Sequence, residues 1–175
     1  MDFEQLSKVR QSCRSFDPSR DVEEEKLMKC VEAAKNAPSA VNAQPYDIWV
    51  VRKPENVRKL LEARLDFNRF IDDCGTFVVF TDAPYAASRL AEQDGRLYID
   101  YRTQDVGECI AYFTLQASDL GLDTCILGGF DMERLQQALG TDAHIQIIIA
   151  VGYAKEGYKT RAKSRKPTEE NVRFL

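Results

Sequence analysis

The chain has 175 residues, of which 44% are hydrophobic and 30% are charged, and its formal net charge is −4. A chain of this length is most simply a single domain, here 1–175, with a sizeable core. Its acidic balance argues against broad binding to nucleic acid or to an anionic membrane surface. No apolar run has the length of a membrane span, and the acidic first residues lack the pattern of a secretion signal. We therefore expect a soluble, cytoplasmic protein.

The cysteines are scattered, and no two have the close spacing of a zinc or iron–sulfur site. They are Cys13, Cys30, Cys74, Cys109 and Cys125. We expect reduced thiols that pack as small hydrophobic side chains, and no bound metal. The single histidine, His144, precedes an apolar strand, and no serine or cysteine motif points to it as a base. Catalysis by histidine is therefore not expected.

The first third of the chain predicts two helices and a strand. Apolar residues at helical spacing predict a short amphipathic helix over 3–10. Asp21 and Glu24 have the spacing of a capping box and predict a second helix. Pro38 ends that helix, because the residue before a proline is pushed out of helical geometry. After a polar loop, the alternating apolar run 46–51 predicts a strand.

The middle of the chain continues this alternation. Pro54 stands at a first-turn position and predicts a helix running to about Leu65. The apolar run Phe77–Phe80 predicts a buried strand. The segment 82–96 has no readable pattern, and a long helix is predicted from about 98 to 120, with Gly121 as its C-terminal stop.

The last third predicts two more strands and a basic tail. A third strand covers 123–127, Asp131 caps a short helix that stops at Gly140, and a fourth strand covers 145–151. From Tyr153 onward the chain is polar and basic, so this tail is either disordered or laid across another surface. Helices alternating with short apolar strands predict an α+β fold with three layers around one sheet.

Two basic segments at opposite ends of the chain could clamp a phosphate monoester. Arg10, Ser12 and Arg14 alternate, so their side chains share one side of an extended chain. Lys163 and Arg165 would add an ammonium and a guanidinium, which suit a fixed dianion. Each segment also has an ordinary explanation, as a solvated turn or a flexible terminus.

Two further segments could contact a ligand. The polar loop 37–45 carries serine, asparagine and glutamine between two prolines, and Gly128-Gly129 would allow backbone N–H groups to approach closely. An ordinary loop and a strand-end turn explain them equally well when each is taken alone. The chain has neither a Gly-x-Gly-x-x-Gly motif after a strand nor a Gly-Lys-Ser/Thr motif, which argues against Rossmann and P-loop sites.

The order and spacing of these segments resemble the FMN-dependent nitroreductase family over almost the whole chain. The matching elements are Arg10-x-Ser12-x-Arg14, the loop Ala37–Pro45, Leu120-Gly121-Leu122-Asp123, Gly128-Gly129-Phe130, Val151-Gly152-Tyr153 and Lys163-x-Arg165. The resemblance implies a nitroreductase-like fold with a mixed, mainly antiparallel sheet. It also implies a homodimer that binds two FMN molecules at the subunit interface, with the tail 153–175 exchanged across it.

The resemblance assigns roles residue by residue. Arg10, Ser12 and Arg14 would hold the FMN phosphate, and Lys163 and Arg165 would close over it. The partner subunit would contribute Pro38, Ser39 and Asn42 to the ring system and ribityl chain. Gln44 and Asn68 would contact the pyrimidine edge of the flavin, and Gly128 and Gly129 would bring the Gly129 N–H near flavin N5.

The implied activity is a ping-pong transfer of hydride from NADH or NADPH through the flavin to a nitroaromatic, a quinone or a similar small acceptor. The flavin carries this chemistry, so no catalytic side chain is expected. The same scaffold could serve dehalogenation, dehydrogenation or flavin breakdown. Two non-enzymatic alternatives are an FMN-storing dimer and a basic-tailed interaction module without flavin.

Several positions depart from the family pattern. Gly128 stands where many relatives have an acidic residue, and Tyr46 stands where tryptophan is common. Ile71 occupies the place of a lysine that stabilises charge on the reduced flavin, and Arg69 is the nearest cation. The segment 82–96 is short for a substrate cover, so we expect an open pocket.

Overall fold

The computed structural model describes residues 1–85 and 100–175, and within them the predicted α+β fold is confirmed. The strands are β1 Tyr46–Val51, β2 Thr76–Asp82, β3 Asp123–Leu127 and β4 Ile145–Gly152. The helices are α1 Phe3–Val9, α2 Glu24–Lys35, α3 Pro54–Glu62, α4 Arg102–Asp119, α5 Met132–Leu139 and α6 Thr168–Asn171. Short 3₁₀ helices cover Ala40–Asn42 and Asp66–Ile71.

The four strands form one sheet in the order β1-β2-β4-β3, and each neighbouring pair is antiparallel. A parallel bridge joins Ser12, which lies outside these strands, to Thr124 of β3 and makes the sheet mixed. β2 is central, and its residues from Thr76 to Thr81 are all buried. Burial on both faces explains why its sequence is a continuous apolar run rather than an alternating one.

Two apolar cores lie on opposite faces of the sheet, which makes the three layers. One face packs against α3 and α5, with Leu60 and Leu135 at its centre. The other face packs against α2 and α4, with Leu27 and Phe113 buried there. All five cysteines are free and buried, as expected for thiols that pack as small hydrophobic side chains. No helix in the described ranges is long and apolar enough to cross a membrane.

The predicted capping box at the start of α2 is wrong. The N-cap residue is Glu23, and its side chain makes no capping hydrogen bond. The Glu23 carboxylate instead accepts the O–H of Tyr153 and an N–H of Lys26. A tertiary contact with the end of β4 therefore replaces the local cap that the sequence suggested.

Three boundaries differ from the predicted ones. α3 ends at Glu62 rather than near Leu65, because Arg64 forms a bridge with Phe130. α4 begins at Arg102, whereas the sequence predicted a start near residue 98. Residues 98 and 99 lie outside the described residues. The expected open pocket rests mainly on 86–96, which also lies outside them. The glycine stops are confirmed, since Gly121 and Gly140 have φ of 75° and 71°.

The basic tail is laid along the start of the same chain. Residues 153–163 run antiparallel to 7–17, beginning with a bridge between Ala154 and Phe16. Phe16 is fully buried against Gly152, where a Cβ would lie 2.9 Å from its ring. A glycine at position 152 therefore lets the first segment pack directly on the sheet.

Tyr153 fixes the point at which the tail leaves β4. Its ring is buried under the Arg20 guanidinium, which lies 3.6 Å from the ring centroid. Its hydroxyl accepts a 2.8 Å hydrogen bond from Lys26 and donates to Glu23. The Tyr153 hydroxyl, the Glu23 backbone N–H and the Lys26 ammonium, in that order, lower the pKa of Glu23 to about 2.

We predict that Glu23→Gln lowers the melting temperature at pH 7 and that this difference shrinks as the pH falls. The pKa of Glu23 in the folded chain lies below its ordinary value of 4.5. The carboxylate therefore stabilises the fold fully above pH 4.5 and loses this contribution as the pH falls toward 2. Thermal unfolding of both proteins at pH 7 and pH 2.5 measures the effect. A difference that stays constant across this range would contradict it.

Candidate functional site

Arg10 ends α1, and part of its guanidinium is buried without a partner. Its Nε and Nη2 atoms are inaccessible to solvent and make no hydrogen bond to any described residue. Burial lowers the pKa of Arg10, but a guanidinium remains charged at neutral pH. A buried charge without a counter-ion is costly, so this geometry fits an anion that binds at Arg10.

The tail brings two further cations toward Arg10. Burial, together with the charges of Arg165 and Arg10, lowers the pKa of Lys163. The Lys163 ammonium donates to the Ser7 carbonyl, and the backbone N–H of Arg161 donates to the Gln11 side chain at 2.9 Å. These contacts join the two basic segments that are farthest apart in the sequence.

Arg14 and Ser12 lie on the same segment as Arg10. The backbone N–H of Arg14 donates to the Tyr158 hydroxyl at 3.2 Å, and its guanidinium lies 5.8 Å from the centroid of the Phe70 ring. We call Arg10, Arg14, Lys163 and Arg165 the basic cluster. Within the described part of the chain, none of these four cations is in a salt bridge with a carboxylate. A dianion would neutralise charge that the protein leaves uncompensated.

A second group of predicted residues meets at the end of β3. The buried Asn68 side chain donates to the Gly129 carbonyl at 2.8 Å, and the Leu65 N–H donates to the same oxygen. The Phe67 ring covers Gly129, so a Cβ there would lie 2.2 Å from the ring. Gly128 has open space at its Cβ position, so its missing side chain leaves room beside Gly129.

The position of the missing lysine is part of the core. Ile71 is fully buried and packs among the apolar residues under β2. Arg69, the nearest cation, forms a 2.9 Å salt bridge with Asp66, and both side chains are exposed. Arg69 is thus paired with a carboxylate at the protein surface. Ile71 is an apolar core residue, so position 71 supplies no cation.

The polar loop after α2 is strained. Val41, Asn42 and Gln44 have φ of 50°, 56° and 45°, a region that residues other than glycine rarely adopt. Each costs about 1–3 kcal/mol and persists only where the surroundings impose it. The Ser39 hydroxyl accepts the Gln44 N–H at 3.0 Å, and the Gln44 amide donates to Asn42. Strain of this kind is typical of binding loops.

The loop and the basic cluster lie near opposite ends of α4. The Ala40 N–H bonds to Asp105 in the first turn of α4, whereas Ser12 bridges to Thr124, five residues after α4 ends at Asp119. A helix of 18 residues is about 27 Å long. The chain therefore brings Arg10, Ser12 and Arg14 of the first segment together with Lys163 and Arg165 of the tail, and it joins Asn68 to Gly129 at the end of β3. It places Pro38, Ser39, Asn42 and Gln44 elsewhere.

Sequence reasoning missed the residues that hold these groups in place. The Tyr158 hydroxyl accepts the Arg14 N–H and donates to the Ser12 carbonyl, which joins the tail to the first segment. An aromatic residue in an otherwise polar tail was the sequence signal for such a contact. Phe67, which covers Gly129, is 69% exposed and stands next to Asn68. Asp105 gave no signal, because a carboxylate in the first turn of a helix is ordinary.

Comparison with known proteins gives consistent relatives. The chain is 26% identical over 203 residues to an oxygen-insensitive NADPH nitroreductase of Helicobacter acinonychis, covering 98% of this chain and 95% of that protein. It is 29% identical over 201 residues to an NADH dehydrogenase of Thermus thermophilus, with the same coverage. A crystal structure from Exiguobacterium sibiricum, described as a nitroreductase in complex with FMN, has a TM-score of 0.82 at 21% identity and covers 98% of that chain and 100% of this one.

The model of the nitroreductase family matches residues 8–153, which is most of the chain. This match begins before Arg10 and ends at Tyr153, so it spans the sheet, the strained loop and the Gly128-Gly129 turn. The chain belongs to the nitroreductase family.

Proposed function

We propose that this protein is an FMN-dependent NAD(P)H oxidoreductase that works as a homodimer. The observation that carries this proposal is the basic cluster, in which buried atoms of Arg10 have no partner among the described residues and no described carboxylate forms a salt bridge with the four cations. A phosphate monoester supplies two negative charges and several acceptors at one point, which matches this set of donors.

The residues fit FMN from its phosphate to its ring. Arg10, Ser12, Arg14, Lys163 and Arg165 would hold the phosphate. Gly129 would meet the ring edge through its N–H, and Asn68 would keep that peptide oriented through its bond to the Gly129 carbonyl. Bound FMN would accept hydride from NADH or NADPH and pass electrons to a nitroaromatic, a quinone or a similar small acceptor. The protein residues would bind and orient the reactants, so the proposal assigns no catalytic side chain.

Pro38, Ser39, Asn42 and Gln44 would act on the flavin held by the partner subunit. The support is geometric, since the loop is bonded to the first turn of α4 and Ser12 bridges to Thr124 just after its end, and α4 is about 27 Å long. A strained, exposed loop without a ligand in its own chain is explained by a second copy that brings one to it.

Two exposed apolar surfaces support a dimer. Phe3 on α1 is 71% exposed, and together with Leu6 it borders a groove against Tyr112 and Leu115 on α4. We propose that a second copy covers this groove.

At the C-terminal end of the chain, Phe174 is 94% exposed, and the residues after Lys166 make only local hydrogen bonds among those described. We propose that this end of the tail docks on the partner. The free thiols fit a cytoplasmic enzyme.

The direct test of the proposed function is an absorbance spectrum of the purified protein, followed by anaerobic addition of NADH and then NADPH. We predict a flavin spectrum that bleaches with at least one nicotinamide and recovers when a quinone is added. A flavin spectrum that resists both nicotinamides would favour FMN storage over reduction. A colourless protein that also ignores added FMN would overturn the proposal.

The phosphate clamp predicts the effect of single substitutions. Arg14→Ala and Arg165→Ala should each weaken FMN binding by about 1.5–3 kcal/mol, because each removes a charge-assisted contact to the phosphate. The control is Arg58→Ala, which removes an exposed cation on α3, outside the basic cluster and the tail. Titration calorimetry with FMN measures all three. Equal affinity of the Arg14 and Arg165 variants and of the control would sink the assignment.

A further inference from the structure

Asp105 is a buried carboxylate with an incomplete set of partners. It lies in the first turn of α4 and is 4% exposed. Its Oδ1 accepts the Ala40 N–H at 3.1 Å, and its Oδ2 is buried without a hydrogen bond to any described residue. A buried charge of this kind costs stability, and an apolar side chain of similar volume is often more favourable. Stability alone therefore does not explain a carboxylate at position 105.

Among residues 1–85 and 100–175, no cation forms a salt bridge with Asp105. The Tyr46 hydroxyl lies nearby, buried beside the Cys109 thiol. Burial, followed by the Cys109 thiol and then by Asp105, raises the pKa of Tyr46, so Tyr46 stays a neutral hydroxyl. Among the described residues, the Ala40 N–H is therefore the group that forms a hydrogen bond with the Asp105 carboxylate.

Ala40 begins the strained loop, and its N–H is the loop's link to α4. Among the hydrogen bonds described for residues 39–44, the others stay within 39–46. The left-handed residues Val41, Asn42 and Gln44 follow this link directly. A loop that is strained and exposed relaxes once its tether is cut, because no other hydrogen bond in the described part of the chain links residues 39–44 to a residue outside 39–46.

We propose that Asp105 is a positioning residue for FMN. By holding the Ala40 N–H it keeps the loop 38–44 in the conformation that meets the flavin of the partner subunit, and it does so at the expense of stability. This inference rests on the proposed function and deepens it. It predicts that stability and FMN affinity move in opposite directions, whereas a merely structural residue would move them together.

The test removes the same hydrogen bond from either side. Asp105→Leu replaces the carboxylate by an apolar side chain of similar volume, and Ala40→Pro removes the N–H donor from the exposed loop. Proline fits position 40, since Ser39 is already extended at φ −144° and ψ 153°. Asp105→Asn keeps an acceptor for the Ala40 N–H and serves as the rescue variant. Phe113→Leu, in the core under the same helix, controls for a general loss of stability.

The measurements are the melting temperature of FMN-free protein and the dissociation constant for FMN. We expect Asp105→Leu to melt at or above the wild-type temperature and to bind FMN at least about tenfold more weakly. Ala40→Pro should show a similar loss of affinity, and Asp105→Asn should stay within about threefold of wild type. Phe113→Leu should melt lower with little change in affinity.

Two results overturn the inference in distinguishable ways. If the wild type binds FMN and both Asp105→Leu and Ala40→Pro keep wild-type affinity, Asp105 does not position the loop for FMN. If Asp105→Leu does not fold, the FMN affinity of Ala40→Pro decides alone, and wild-type affinity of that variant overturns the inference. A wild-type protein that binds no FMN overturns the proposed function, and the role of Asp105 with it.

Discussion

The contact on which the site depends is the antiparallel run of the tail along the first segment of the chain. It starts at Tyr153, which is buried under Arg20 and bonded to Glu23 and Lys26. From there it carries Lys163 up to Arg10. The sheet makes this possible, because β4 delivers the tail beside the residues that precede α2.

This arrangement brings like charges together, and their repulsion is large compared with the hydrogen bonds that hold the tail in place. Two unit charges 4 Å apart near a protein surface repel by about 4 kcal/mol, whereas a typical hydrogen bond contributes only about 1 kcal/mol net. The described contacts of the tail with 7–17 are a handful of such bonds. An anion at the basic cluster would turn repulsion into attraction. Cofactor binding and docking of the tail are therefore coupled in this account.

The sequence and the structure agree where the signal is local. Gly121 and Gly140 stop their helices in left-handed geometry, and Asp131 caps α5, as their positions predict. The apolar runs became the four strands because alternation and burial are properties of the segment itself. The basic motifs could also be named from the sequence, although only the fold shows that Arg10 and Lys163 meet.

The sequence fails where distant residues decide the outcome. The cap expected at Asp21 and Glu24 is lost because Glu23 is bonded to Tyr153, which is far away in the chain. Nothing local predicts left-handed backbone at Val41, since a β-branched residue disfavours it. The buried Asp105 that holds this loop is visible only when α4 and the loop are placed side by side. Departures of this sort are expected at binding sites, where local preference yields to function.

We propose that one flavin site needs the basic cluster of one chain and the loop of its partner. The most direct test is a heterodimer, purified through two different tags, of an Arg10→Ala/Arg165→Ala chain and a Ser39→Ala/Gln44→Ala chain. Because a two-fold dimer has two equivalent sites, the heterodimer would combine both defects in one site and leave the other intact. We predict about half of the wild-type FMN content, with far less in either variant homodimer. A heterodimer that holds no more FMN than the variant homodimers would contradict the account, since cluster and loop would then belong to the same chain.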